Sequence, residues 1–415
     1  MSAPEFTGFD VDTVAEAVRQ PSLDDLWSAA RSRRRRRSAV VAVVVLIALV
    51  GAAAGPLAAR SGGGPEVAGP VPPPLRPGRA ADVILTGPQS AVGVAQIACT
   101  LFFTHTGDGG RGWSDWDAGR YQAEDCDRDN EGRDDANLTY NVLDERTYLV
   151  REDGPGLSRL STDHGHTWRD ADEAIEPVPA FPRTARPVHC QMACGAIRAV
   201  LAVDPTTGTV YRLAGELPSP NPPVAVYPTT DGTIWAAYLP GPGAGEGLIV
   251  ARSTDRGATW VAQRSVNPKN AIALAAVDDH TAYLLIEPPP PDGTTAPTGT
   301  ARLLRTTDDG ETWTDLGTDL PATRENEYLV LGTDGSLLVA RAGYTDPRAG
   351  ATLFVSRDGG KQFTLAREYR HLEDSVGAAP GRAWLYGRDD LSDVGADHVV
   401  VTGDGSGWTR IPLPH

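Results

Sequence analysis

Three groups of side chains in this 415-residue chain could do chemistry. Asp125, Asp127 and Asp129 set carboxylates at alternate positions, the spacing with which a calcium-binding loop opens. Such a loop turns on Gly at its sixth position and closes on Glu at its twelfth. Asn130 and Ala136 stand at those places here, so an acidic surface loop is expected and calcium is the alternative. His164, His166 and His189 could bind a metal or move protons, but they are scattered among turn residues and are expected to be solvated. The four cysteines, Cys99, Cys126, Cys190 and Cys194, include no Cys-x-x-Cys pair of the kind that zinc or a dithiol redox centre needs. In an oxidising compartment they should form disulfides. Three pairings are open, and Cys99 with Cys126 plus Cys190 with Cys194 closes the shortest loops.

The most informative carboxylates belong to a repeat. Ser or Thr, x, Asp, x, Gly, x, x, Trp or Phe occurs at Thr106–Trp113, Ser161–Trp168, Ser253–Trp260, Thr306–Trp313 and Ser356–Phe363, with a shortened copy at Thr402–Trp408. In each, the Asp carboxylate and the leading hydroxyl can accept bonds from turn amides, Gly permits positive φ, and the aromatic opens the next strand. Apolar runs such as GLIVAR, ARLLR and ATLFV precede the copies, so the motif joins antiparallel strands. Asp108, Asp163, Asp255, Asp308, Asp358 and Asp404 are therefore expected to hold turns and not to do catalysis.

The pattern resembles the Asp-box, or BNR, repeat of sialidase-type, sortilin-type and photosystem-assembly-factor-type β-propellers. The resemblance covers residues 81–415 and implies an all-β, seven-bladed β-propeller in which each box joins the third and fourth strands of a blade. Box aspartates are 55, 92, 53, 50 and 46 residues apart, so one blade between Asp163 and Asp255 has lost its box. Asp204 and Gly208, within Val203–Leu213, supply a different hairpin there. Sialidases of this class use an Arg triad, a Tyr paired with Glu, and an Asp, with Arg-Ile-Pro before the first box. The one such tripeptide here, Arg410-Ile411-Pro412, follows the last box, and no Tyr and Glu pair stands out. No catalytic residue is assigned. A glycoside hydrolase working through two carboxylates is kept as the alternative.

A box between strands three and four puts the first-to-second turns on the same rim and the second-to-third connections on the opposite face. The former are short, as in VLDERTY, VDDHTAY and GTDGSL; the latter, at 239–247, 287–300, 342–350 and 387–397, are long and varied. Long loops on a rigid scaffold commonly carry binding. Tyr344, Asp346, Arg348, Arg388, Asp389 and Asp390 are the ligand contacts expected on that face.

The remaining segments address location. Residues 38–59 are an uncharged apolar run of spanning length, preceded by Arg33–Arg37, which predicts a single transmembrane helix with residues 1–37 cytoplasmic. That stub carries a short amphipathic helix from Ser22. A signal peptide cleaved near Ala52–Ala54 is the rival reading. Residues 60–80, rich in Gly and Pro, form a stalk that cannot bury apolar surface. A net charge of -16 argues against nucleic acid. With only Lys269 and Lys361 among 38 basic residues, and abundant Ala, Gly and Pro, the composition points to a GC-rich, actinobacterial genome. The expectation is a monomeric, cell-membrane-anchored, extracytoplasmic propeller without cofactor. It binds an envelope glycan or protein, with an exo-sialidase-like enzyme as the alternative.

Overall fold

A computed structural model of the chain describes residues 76–123, 138–152, 157–191, 194–240, 247–266, 271–286, 299–322, 326–342, 350–369, 376–389 and 396–414. No helix among them is long and apolar enough to cross a membrane; the expected span at 38–59, with its flanking stub and most of the stalk, lies outside the described residues. The acidic loop with Asp125, Asp127 and Asp129 lies outside them as well.

The described residues fold into seven four-stranded sheets. The first is β1 (Asp82–Leu85), β2 (Ala91–Ile97), β3 (Thr100–Thr106) and β4 (Gly119–Gln122). The second is β5 (Leu138–Val142), β6 (Tyr148–Glu152), β7 (Ser158–Ser161) and β8 (Arg169–Asp170). A short helix, α1 (Ala171–Ala174), leads to β9 (Glu176–Val178), β10 (Arg186–Pro187), β11 (Leu201–Val203) and β12 (Val210–Leu213) of the third. The fourth holds β13 (Pro223–Pro228), β14 (Ile234–Tyr238), β15 (Leu248–Ser253) and β16 (Val261–Val266). The fifth holds β17 (Ala271–Ala276), β18 (Ala282–Ile286), β19 (Arg302–Thr306) and β20 (Thr314–Asp315). The sixth holds β21 (Asn326–Leu331), β22 (Leu337–Ala342), β23 (Ala351–Ser356) and β24 (Thr364–Tyr369). The seventh holds β25 (Val376–Ala379), β26 (Arg382–Gly387), β27 (His398–Thr402) and β28 (Thr409–Pro412).

Packing between sheets makes them a ring. Second strands such as β14 (IWAAY), β18 (AYLLI) and β22 (LLVARA) are buried along their whole length because neighbouring sheets cover both faces, which is why they read as continuous apolar runs and do not alternate. One cluster joins sheets four to seven, a second joins two to four, and a third joins one and two. Val83, Leu85 and Ala91 of the first sheet pack on Trp384, Tyr386, Val399 and Ile411 of the last, closing the circle. The chain is a β-propeller.

Six sheets carry the repeat where it was expected, between third and fourth strands. In the five full copies the leading hydroxyl donates to the Asp carboxylate at 2.8 to 2.9 Å and accepts the N–H of the Gly four residues on at 2.7 to 3.1 Å. The Asp then accepts the N–H four residues on at 2.9 to 3.1 Å. The Gly is required twice over. At Gly360, φ is +98°, and an added Cβ would sit 2.4 Å from Leu303 Cδ2 in the preceding blade. At Gly110 the same atom would meet Ile411 of the last blade at 2.8 Å. The turn thus ties each blade to its neighbour.

The third sheet breaks the pattern. Its order is β10-β11-β12-β9, and β12 pairs with β9 in parallel. The turn from β11 to β12 is the expected hairpin: Gly208 N–H donates to the Asp204 carbonyl, and Asp204 Oδ1 accepts from Thr206 and Thr207. Gly208 packs on Thr147 and Thr162 of the second blade, so this turn lies on the same rim as the repeats.

Candidate functional site

Between β10 and β11 the chain leaves the third blade and crosses the ring. Cys190 bridges antiparallel to Val226 on β13, and Ala196 N–H donates to Asn141 Oδ1 on β5 at 2.7 Å. Gln191 Nε2 donates to the carbonyls of Leu274 on β17 and Leu329 on β21 at 3.2 and 2.8 Å. One short segment thus touches the innermost strands of blades two, four, five and six. A disulfide, Cys190–Cys194, closes it into a loop, as the shortest-loop pairing anticipated. Cys99 is also disulfide-bonded; its expected partner Cys126 lies outside the described residues.

This crossing plugs the central channel and gives it a floor. His189 lies there, with its Nε2 3.0 Å from Gln191 Nε2. His189 is half-buried at the foot of the cavity and not freely solvated at a turn; burial pushes its pKa down to about 3, so the ring is neutral. His164 does stand at a turn, with its ring stacked on His105 at 4.1 Å between centroids.

Above the floor, on the rim of the repeat turns, opens a cavity of about 1020 Å³. First-to-second turns of blades one, two, four and seven wall it, together with Arg186–His189 and Pro205 of the third blade. Much of the wall is aliphatic: Ile84, Leu85, Val142, Leu143, Val188 and Val203, with four prolines. Four polar atoms in this wall are buried without a hydrogen-bond partner: Thr86 Oγ1, Asp144 Oδ2, Arg382 Nη1 and Trp384 Nε1. Burial pushes the Asp144 carboxyl above its ordinary value despite bonds from the N–H groups of Arg146 and Thr147, and burial lowers the Arg382 pKa. Such an arrangement can orient a bound molecule. His189 at the floor lies against the Gln191 side-chain amide.

The loop face lies at the other end of the ring. Of the contacts expected there, Tyr344, Asp346, Arg348 and Asp390 lie outside the described residues, while Arg388 and Asp389 follow β26. Asp389 pairs with Arg410 at 2.5 Å, and Arg410 also reaches Asp397 at 3.4 Å. Asp397 in turn bonds His398 Nδ1, whose Nε2 faces the Tyr369 hydroxyl at 3.3 Å. Asp389, Asp397 and His398 are close enough to ligate one cation, but Arg410 already neutralises both carboxylates. An ion would have to displace it.

Sequence reasoning missed Arg382, Trp384, Thr86 and Gln191. Nothing in PGRAW marks it except an Arg two residues before a Trp, a spacing that puts both on one face of a strand.

No protein-family model matches the chain, and no curated protein matches it. Solved structures similar to it include YCF48 bound to a D1 peptide, at 16% identity over 80% of each chain with a TM-score of 0.30. An ancestral GH74 enzyme is 12% identical over 80% of this chain and 46% of its own, with a TM-score of 0.43. A Hadza microbial sialidase is 20% identical over 65% of this chain and 56% of its own, with a TM-score of 0.33. The chain thus spans about half the length of these two enzymes. These likenesses concern the arrangement of strands and place no site.

Proposed function

We propose that this chain is a non-catalytic binding module of the cell envelope, an Asp-box propeller held by a membrane helix at 38–59 and displayed outside the cell on the 60–80 stalk. The ligand sits in the rim cavity above the plug, and the variable loops of the opposite face, with Tyr344, Asp346 and Arg348, contact a larger partner such as a glycan or protein.

The observation that carries this reading is the contrast between two sets of polar groups. The repeat aspartates are spent on their own turns, whereas four buried polar atoms around the cavity have no protein partner. Buried groups left unpaired are costly, and a ligand that meets them recovers that cost.

The test is a mixed array of glycans and cell-wall fragments probed with the full-length chain in lipid nanodiscs, with released sugar assayed in the same samples. Binding without release is the expected result. Release of sugar would overturn the non-catalytic reading in favour of a glycoside hydrolase.

A further inference from the structure

Arg382 and Trp384 each bring to the cavity wall a buried donor without a partner, Nη1 and Nε1. Arg252, Arg302 and Arg410 all pair with carboxylates, while the half-buried Arg382 forms no ion pair among the described residues. A half-buried guanidinium with one buried nitrogen unpaired and no counter-charge can take an anion. Trp113, Trp168, Trp235 and Trp313 each donate Nε1 to a backbone carbonyl; Trp116, Trp260 and Trp384 bury an Nε1 that donates to nothing, and of these three Trp384, only 4% exposed, lines the cavity.

The indole is also fixed in place. Gly377 is the cross-strand partner of Trp384, and a Cβ at Gly377 would lie 2.2 Å from Cε2 and Cζ2 of the ring. The missing side chain lets the ring lie flat against β25. Two residues apart on β26, Arg382 and Trp384 project from the same face of the strand. Thr86 of the neighbouring first blade adds a hydroxyl with no partner.

We propose that the cavity binds an apolar small molecule through a single carboxylate, which Arg382 and the Nε1 of Trp384 hold. This rests on the binding-module reading above. A planar monoanion matches the guanidinium fork, which can grip both of its oxygens. A doubly charged phosphate suits the site worse, because Asp144 and Glu145 line the same cavity and Arg146 is already bonded to the Thr162 carbonyl. Arg186, exposed at the mouth, draws an anion inward. The aliphatic and proline wall then requires an apolar body behind the charge.

The experiment titrates the full-length chain in lipid nanodiscs with 4-phenylbutanoate, 4-phenylbutanamide and 4-phenylbutyl phosphate, read by tryptophan fluorescence against empty nanodiscs. The carboxylate should bind about tenfold or more tighter than the amide and tighter than the phosphate. Arg382→Gln should weaken carboxylate binding about tenfold or more and amide binding by much less, so that the preference is lost. Equal binding of carboxylate and amide overturns this inference but leaves the cavity as a binding site; a tighter phosphate replaces carboxylate by phosphate. Failure of all three probes to bind overturns the cavity reading itself. If Arg382→Gln does not fold, Thr86→Val serves as the second variant. It should cut carboxylate binding by about threefold or more and amide binding by less, and equal loss for both probes counts against the proposal.

Discussion

The side-chain amide of Gln191 is paired with the backbone of Leu329, 138 positions away in sequence. Nε2 donates to the Leu329 carbonyl at 2.8 Å, and the Leu329 N–H donates back to Oε1 at 3.2 Å. This is the exchange that a neighbouring strand would make. Gln191 therefore acts as a one-residue strand partner for the inner edge of blade six, while its second bond to Leu274 holds blade five. The ring is closed around its circumference by the packing of the last sheet on the first, and across its middle by one side chain.

Gln191→Ala should destabilise the propeller by about 2 to 3 kcal/mol, since it leaves a buried N–H and two carbonyls without partners. Gln191→Met should cost nearly as much, because volume is kept but the backbone groups remain unpaired. Urea denaturation measures both. A methionine variant as stable as the parent would show that Gln191 merely fills space.

The Cys190–Cys194 disulfide brackets that residue. Closing so small a loop removes unfolded-state entropy worth about 2 kcal/mol. Replacing both cysteines by Ala should lower stability by about that amount. If the bridge also holds Gln191 in place, adding Gln191→Ala to the double variant should cost less than it does alone. Strict additivity in the cycle would separate the disulfide from the plug.

The repeat-turn glycines allow a controlled comparison. Gly109 has φ +75° with nothing within 4 Å of an added Cβ, while Gly360 has φ +98° and Leu303 at 2.4 Å. Gly109→Ala should lose about 1 kcal/mol from backbone strain alone. Gly360→Ala should lose a further 1 to 3 kcal/mol from overpacking against the preceding blade. Equal losses in thermal melts would mean that the turn does not carry the contact between blades.

These predictions also mark where the sequence was legible. The repeat could be read because each copy is local: hydroxyl, carboxylate and Gly lie within five residues, and their bonds close inside one turn. The lost copy showed as a doubled interval, and Asp204 with Gly208 was recognisable as its substitute by the same local chemistry. The plug was not legible, because Gln191 finds its partners 83 and 138 residues away, and CQMAC reads like any small disulfide loop. Nor was the reordered third sheet, whose parallel pairing of β12 with β9 depends on the chain first crossing the ring. The rim cavity draws on five blades, and its polar atoms matter because they lack partners, a property that no string of residues displays.

Asp82 gives a pH test with a definite sign. It is held by the hydroxyls of Tyr386 at 2.8 Å and Tyr140 at 3.3 Å, and burial raises its pKa above the ordinary carboxylate value, outweighing those bonds. The repeat aspartates go the other way. In Asp163 and Asp255 burial pulls upward, but the bonds from Thr167 and Thr259 win and hold both carboxyls low. A depressed group stabilises the fold above its unfolded pKa of about 4, and that stabilisation is lost as pH falls through the folded value. A raised group does the reverse: its contribution is full below about pH 4 and is lost as pH rises through the folded pKa. Asp82→Asn keeps an acceptor for Tyr386 and removes the charge. The variant should therefore melt above the parent at pH 7, and the difference should vanish near pH 3, where Asp82 is neutral in both folded and unfolded chains. A variant that melts below the parent by the same margin at both pH values would mean that shape, and not charge, governs this position.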